Sequence, residues 1–485
     1  MVVVALTAFE VWTYRDCLDC FFHFDDFWVL AAAARIPSHS LRGLLRVFEP
    51  VHGFLLYRPL STVLYFFTLH EAFGYDPVGY HATQLAFHIL NGVLVYAIAD
   101  SILFSRPLAA AAALIYVTAP GHAIAVCWVA LFTMTGTAFF YFVAVWVWVR
   151  LDSRWRVPLT LLLFGAALLA SEHAVSLPLT LTAASLLLTP QRDWRRSARE
   201  LAAFYAIGAS YVAAKLYYLH YGLAGTFPNP AAQIYVASGY HVSLAPVSIL
   251  LHLGRYCEFT VNLIYNHVPS DAWALALGVA MALAAIVATL CVLSARWTTR
   301  PLRAAAFGLD VFIIGLAPVL VLPAHLYSYY VGIAAMGMAV AIVGFGQALP
   351  RPWVSRLAPW GVVALLLAVH VGSTAALVRQ SDEFTFLRGF SENAARWLYT
   401  LRLRAEQPGI DEVVLPSTGL TDMVFNVGEA HRLFLCAHYR VQTARNIQAT
   451  EPAANRLILL QSDRLPPWTR SQGRWFWLQP CRDVR

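Results

Sequence analysis

Apolar positions run in long blocks along most of this chain, broken by short polar stretches. Eleven blocks are read, near residues 1–13, 79–104, 107–119, 129–150, 157–170, 174–189, 199–220, 271–295, 304–322, 329–348 and 357–378. Blocks of this kind predict membrane-spanning helices, each needing about 20 residues to cross. The third, fifth and sixth are shorter and predict short, tilted or partly re-entrant helices. The first is the weakest, because Met1–Trp12 is short and carries Glu10. It reads as a chain starting inside its first helix. It lacks the basic leader of a cleavable signal peptide. Two further stretches, Tyr57–Phe73 and Ser243–His267, mix aromatics with Arg and other polar groups. Both suit helices lying along a membrane surface. The second has a spanning helix as its alternative, which would invert the topology after it.

The polar gaps orient the blocks. Arg150, Arg154 and Arg156 share one gap, and Arg192, Arg195, Arg196 and Arg199 another. Arg296, Arg300 and Arg303 fill a third, and Arg351 with Arg356 a fourth. All four fall on one side if the blocks alternate, and positive-inside bias makes that side cytoplasmic. Outside then lie the loop over 14–78, the loop over 221–270, the His325–Tyr330 turn and the C-terminus. The last 105 residues hold 24 of the chain's 61 charged side chains. They predict a separate soluble domain over 380–485, outside the membrane, behind a membrane body over 1–379. The tail segments DEVVLPS, HRLFLCAHYR, NRLILLQ and RWFWLQP predict short strands of a small α/β or β-rich domain. The fold class expected is therefore an all-α polytopic membrane protein of about eleven transmembrane helices with a small extracytoplasmic α/β domain.

Composition agrees. Of 485 residues, 59% are hydrophobic and 13% charged, about half the charge of a soluble domain. Disordered, coiled-coil, collagen-like and soluble-enzyme classes are excluded. The net charge is +7, yet Lys215 is the only lysine among 34 basic residues. The Arg residues are scattered between apolar blocks, so no nucleic-acid partner is expected. There is no nucleotide-binding GxGxxG or P-loop. Seven cysteines make no zinc pattern, and Cys17-x-x-Cys20 stands alone.

Candidate chemistry gathers at the outer ends. Asp25 and Asp26 sit side by side among aromatics in FFHFDDFWVL. Such carboxylates can accept a proton from a hydroxyl or hold a divalent cation. An Asp before WVLAAAA also suits a helix N-cap, and the residues alone leave both readings open. His81, Gln84, His88 and Asn91 are spaced 3, 4 and 3 apart and share one helical stripe. They serve either a wet cavity or interhelical hydrogen bonds, with a substrate role more in keeping for His81 near the outer end. Glu172 and His173 interrupt two apolar blocks at an outer turn. Arg58 in YRPL suits an anionic ligand through its planar fork, or a lipid headgroup. Arg255 could face an anion or pair with Glu258 one turn on. His325, Tyr327, Tyr329 and Tyr330 mark an outer edge where tyrosines also form aromatic belts. Asp310, inside the ninth block, has no assigned role.

In order, the acidic pair, YRPLSTVLYFF, GYHATQLAFHILNGVLVY, SEHAVSLPLTL and LPAHLYSYYVGIAAMG resemble the GT-C class of integral membrane glycosyltransferases. Within it, the run is similar to bacterial polyprenyl-phosphate-mannose–protein mannosyltransferase-like proteins and the related tetratricopeptide-bearing O-mannosyltransferases, over roughly residues 20–350. The resemblance implies a polyprenyl-phosphate sugar donor used at the outer face of the plasma membrane. It implies a catalytic acid pair, Asp25 or Asp26, acting as base toward the acceptor or beside a metal such as Mg or Mn. It places Arg58, His81, Glu172, His173, Arg255, His325, Tyr327 and Tyr330 around the donor phosphate. Inverting transfer to a protein or cell-envelope glycan acceptor follows. The stretch APGHAIAVCWVALF keeps His122 and Trp128 but lacks the acidic and terminal basic residues expected there, and no tetratricopeptide repeats follow. A disulfide between Cys436 and Cys481 is open to a tail outside the cytoplasm. Two other readings stand beside the enzyme: a transporter or flippase of lipid-linked glycan, and a non-catalytic relative acting in envelope assembly.

Overall fold

The computed structural model describes residues 2–18, 20–34, 36, 45–49, 57–188, 194–221, 242–261, 270–296, 298–348, 358–380, 382–405, 409–418, 421–427, 430–435, 439–445 and 455–459. Among them the chain runs through α1 (Val2–Tyr14), α2 (Asp26–Ala34), α3 (Tyr65–Phe73), α4 (Pro77–Leu103), α5 (Arg106–Thr118), α6 (Ala123–Cys127), α7 (Phe132–Arg150), α8 (Arg156–Ala170) and α9 (Leu177–Leu187). It continues through α10 (Trp194–Tyr221), α11 (Pro246–Val261), α12 (Asp271–Leu293), α13 (Arg300–Leu320), α14 (Ala334–Ala348), α15 (Ala358–Gln380), α16 (Asp382–Ala405) and α17 (Ala430–Leu435). Each of the eleven apolar blocks contains a helix.

Local chemistry sets the ends. Asp76 caps α4 by accepting from Val78 N at 3.1 Å, with Pro77 in the first turn, where a missing N–H costs nothing. Ser270 caps α12 through Trp273 N. Pro120 stops the α5 direction, so α5 and the following Pro120–Cys127 stretch meet at a 49° bend. By length and composition four helices are fit to cross a membrane, Pro77–Leu103, Val129–Arg150, Asp271–Leu293 and Arg300–Leu320, and a fifth if the bent pair is one span. Arg156–Ala170 and Ala334–Ala348 are apolar but shorter. The molecule is a multi-pass membrane protein; the expectation of about eleven crossings counts apolar blocks, several of which fall short of a full crossing.

The bundle core joins α4, α5, α7, α8, α9, α13 and α14. Close backbone approach holds α13 to α14: a Cβ on Gly308 would lie 2.5 Å from Gly337 O. Small residues at such crossings are the usual basis of helix association in lipid.

A second core forms at one end of the bundle. Phe21, Phe22 and Phe27 of the first loop pack with Tyr65, Phe66 and Tyr80 and with Val413, Leu415 and Phe434 of the C-terminal segment. That segment carries three parallel strands, β1 (Glu412–Pro416), β2 (Arg440–Ala444) and β3 (Arg456–Ile458), in the order β2-β1-β3. The apolar run of β1 suits a central strand buried on both faces. DEVVLPS and NRLILLQ thus hold strands as expected. HRLFLCAHYR differs: its first residues are helix α17, and only its last Arg opens β2. RWFWLQP, Cys436 and Cys481 lie outside the described residues.

Candidate active site

The first loop turns sharply before its acidic pair. Phe24 takes the left-handed conformation, with φ +45°, a costly one for a bulky residue. Its ring stacks on Phe390 at 3.6 Å, so packing against α16 holds the turn. The turn sends the two carboxylates in opposite directions. Asp26 opens α2 and is fully buried. Its Oδ2 accepts from His23 N at 3.0 Å and its Oδ1 from Ala130 N at 2.7 Å. Asp25 is exposed at the surface of the loop yet ringed by protein on its other sides. Trp28 hydrogen-bonds its carboxylate, and the Arg58 charge acts on it. Burial among these groups still raises the Asp25 carboxyl above the usual range. Burial pushes Asp26 up to about 8, with the two backbone donors opposing and the Asp25 charge adding.

Arg58 precedes a wide helical turn over Pro59–Leu64. The turn is fastened to α8, with Ser61 Oγ donating to Ala170 O at 2.5 Å. From there Arg58 meets Glu172 in a two-bond fork: Nε donates to Oε2 at 2.9 Å and Nη2 to Oε1 at 2.6 Å. The pair is 13% and 27% exposed. Burial alone would raise the Glu172 carboxyl; Arg58 and Lys215 outweigh it and hold Glu172 well below the usual range.

Lys215, on α10, sends its ammonium into this neighbourhood. Its Nζ is buried without a hydrogen-bond partner among the described residues. Tyr211, one turn earlier, places its hydroxyl in the same position, buried and unpartnered. Both feel the charges of Glu172 and Arg58. A buried ammonium without a hydrogen bond is costly, and the Lys215 ammonium set beside the Arg58 guanidinium suits an anion.

His173 extends the site. Its Nδ1 lies 2.9 Å from Ser171 Oγ, its Nε2 is unpartnered among the described residues, and its ring stacks on Tyr330 at 5.0 Å. Burial pushes it down to about 4, so the ring is neutral at pH 7. Tyr330 lies 6.3 Å from Tyr327, and Tyr327 is 5.7 Å from His325. Arg58, Glu172, His173, Tyr330, Tyr327 and His325 therefore form one continuous line, with Asp25 next to its Arg58 end.

The remaining candidates are placed differently. His81 is buried, and its Nε2 meets Cys20 O at 3.2 Å, so it props the first loop from below. Arg255 donates to Glu258 at 3.3 Å and to Asp271 at 2.6 Å, tying α11 to α12. Its neighbour Tyr256 reaches His325 O at 3.3 Å, which brings α11 against the outer turn. The rest of the His81 stripe makes interhelical bonds. Gln84 donates to Ala125 O and Thr135 Oγ1, Asn91 to Thr135 O, and His88 Nε2 lies 3.3 Å from Glu10. Asp310 accepts from Thr289 between α12 and α13.

Two features were not anticipated. Cys17 is disulfide-bonded to Cys127, clipping the first loop to α6. Lys215 had one signal, its being the only lysine in the chain, and nothing placed it near Glu172, 43 positions away. A divalent cation does not fit the acidic pair: Asp25 faces out, while both oxygens of Asp26 are taken by N–H donors. Among the described residues no group of three or more His, Cys, Asp or Glu is arranged to hold a metal.

No family model and no curated protein matches this chain. Among solved structures it is similar to the crystal structure of ArnT from Cupriavidus metallidurans bound to undecaprenyl phosphate, at 14% identity and a TM-score of 0.39, over 91% of this chain and 85% of that one. A likeness at that distance decides neither fold nor function.

Proposed function

We propose that this protein is a membrane glycosyltransferase that moves a sugar from a polyprenyl-phosphate carrier to an extracytoplasmic acceptor, a protein or cell-envelope glycan, with inversion. The observation that carries the reading is the outward carboxylate of Asp25 set beside Arg58, with the unpartnered Lys215 ammonium behind the Arg58–Glu172 fork. The acceptor hydroxyl gives its proton to the Asp25 carboxylate as its oxygen bonds the anomeric carbon. The bond from that carbon to the phosphate oxygen breaks, and the electron pair leaves with the polyprenyl phosphate. Arg58 and Lys215 offset the charge that builds on that leaving group. A raised pKa at Asp25 strengthens it as a base. Asp26 fixes the loop. The neutral His173 and the tyrosine turn line the sugar side. The Cys17–Cys127 disulfide supports an oxidising, extracytoplasmic side for this end of the bundle, which agrees with the Arg-rich gaps at the other. On this reading the protein lies in the plasma membrane, and the described part of 380–485 is an accessory unit packed against the first loop.

The test is donor consumption by purified protein in nanodiscs, with a panel of labelled polyprenyl-phosphate sugars and membrane extract as acceptor. Asp25→Asn should lose about 10²–10⁴-fold in turnover while melting near the wild-type temperature. Equal consumption by Asp25→Asn and wild type would remove the base from this loop. No consumption of any donor by wild type would favour transport of the lipid-linked glycan.

A further inference from the structure

A second cavity lies at the far end of the bundle from Asp25. It opens among the C-terminal ends of α7 and α9 and the N-terminal ends of α8 and α10, with a volume of about 370 Å³. The α8 helix separates it from Glu172 by about 22 Å, at 1.5 Å per residue. Arg156 lines it and is 7% exposed. One edge of its guanidinium is used: Nη2 donates to Glu200 at 2.5 Å. The plane lies over Trp148, 4.7 Å from the ring centroid. The Nε is buried and has no partner among the described residues. Arg196, 66% exposed, reaches the same cavity and shares Glu200 at 3.1 Å. Asp152, exposed, also lines the cavity.

Among the described residues Arg156 and Arg196 both bond Glu200, Arg156 Nε keeps a donor without a partner, and Asp152 adds a carboxylate to the lining. We infer that this cavity binds a phosphoethanolamine-type lipid headgroup, its phosphate on Arg156 and Arg196 and its ammonium on Asp152. The Trp148 ring and the wall at Leu188 receive the glycerol and first acyl carbons. Basic pockets between membrane helices hold phosphate headgroups by the same chemistry. A dissolved phosphate ion could use the two arginines but would leave Asp152 and the apolar wall unused. The inference is independent of the outer site.

Thermal melting of the full-length protein in detergent tests it, with added dioctanoyl phosphatidylethanolamine, dioctanoyl phosphatidylcholine or inorganic phosphate. Phosphatidylethanolamine should raise the melting temperature saturably, and more than phosphatidylcholine, whose quaternary ammonium cannot donate to Asp152. Arg196→Gln and Leu188→Trp, which remove a charge and fill the cavity, should each shift the midpoint concentration at least fivefold upward. Asp152→Asn should erase the difference between the two lipids. An unchanged lipid response in both Arg196→Gln and Leu188→Trp would overturn the site. An equal response to inorganic phosphate would show that its ligand is a free phosphate group and overturn the lipid assignment.

Discussion

Adjacent carboxylates point opposite ways because a left-handed turn at Phe24 leads into them and α2 starts at Asp26. Asp26 is held inside by His23 N and Ala130 N, and its folded pKa of about 8 lies above its ordinary value. A raised carboxyl stabilises the fold most below its unfolded pKa, and that contribution is lost as pH rises through about 8. Glu172 has the opposite sign: its depressed pKa contributes stability at neutral pH that is lost as pH falls below its ordinary value. The Asp26 contribution to melting temperature should therefore decline from about pH 4 to pH 8, while a buried neutral ring such as His173 acts with the opposite sign below its ordinary value. Asp26→Asn should flatten that decline in a pH series while melting lower throughout, since an amide can accept only one of the two N–H bonds. Lys215 separates stability from function. Lys215→Met removes a buried ammonium that no hydrogen bond offsets and also its attraction to Glu172, so it should melt near the wild-type temperature. If the proposed donor phosphate takes a charged hydrogen bond from Lys215, its loss, about 1.5–3 kcal/mol, should raise KM for the donor roughly 10–100-fold. Lys215→Arg should restore part of the loss.

At the scale of elements, the first loop is a clamped structure. It is tied to α6 by Cys17–Cys127, to α4 by His81 on Cys20 O, and to α16 by Ser391 Oγ on Phe21 O at 2.9 Å. Each tie positions Asp25 without touching it. The disulfide spans a sequence separation of 110, and closing a loop near that length is worth about 5 kcal/mol in the chain-entropy account. Cys17→Ser should lower the melting temperature by several degrees and reduce turnover more than donor binding. Non-reducing peptide mapping should recover the Cys17 and Cys127 peptides joined in wild type only. The polar stripe on α4 belongs to the same scale: Gln84 and Asn91 are spent on α7 and the α6 segment, so the helices that carry the site are locked in register.

The two largest cores among the described residues lie inside the bundle and at the end that carries the first loop. The second of these packs the C-terminal segment against the loop that carries Asp25. Phe434 lies 5.5 Å from Phe21, 6.0 Å from Phe22 and 6.1 Å from Phe27. Phe434→Ala should cost about 3–5 kcal/mol and lower donor turnover, although residue 434 is 409 positions from Asp25. Limited proteolysis of this variant should cut the first loop faster than in wild type.

Runs of apolar residues were enough to read a polytopic helical chain, because burial in lipid demands helices whose every backbone group is bonded internally. Residue types at the outer ends were enough to nominate Asp25, Arg58, Glu172, His173 and the tyrosine turn, since charge there is costly unless it is used. Strands at DEVVLPS and NRLILLQ were legible from their apolar pattern, whereas HRLFL was not, its helix being set by packing against α2 and α16. Which aspartate faces outward, whether Arg255 is free or paired, and that His81 is a prop were decided only by tertiary structure. So were the Cys17–Cys127 pairing and the meeting of Lys215 with Arg58 and Glu172. These depend on contacts between residues tens to hundreds of positions apart, and local pattern carries no information about which distant groups the fold will bring within hydrogen-bond reach.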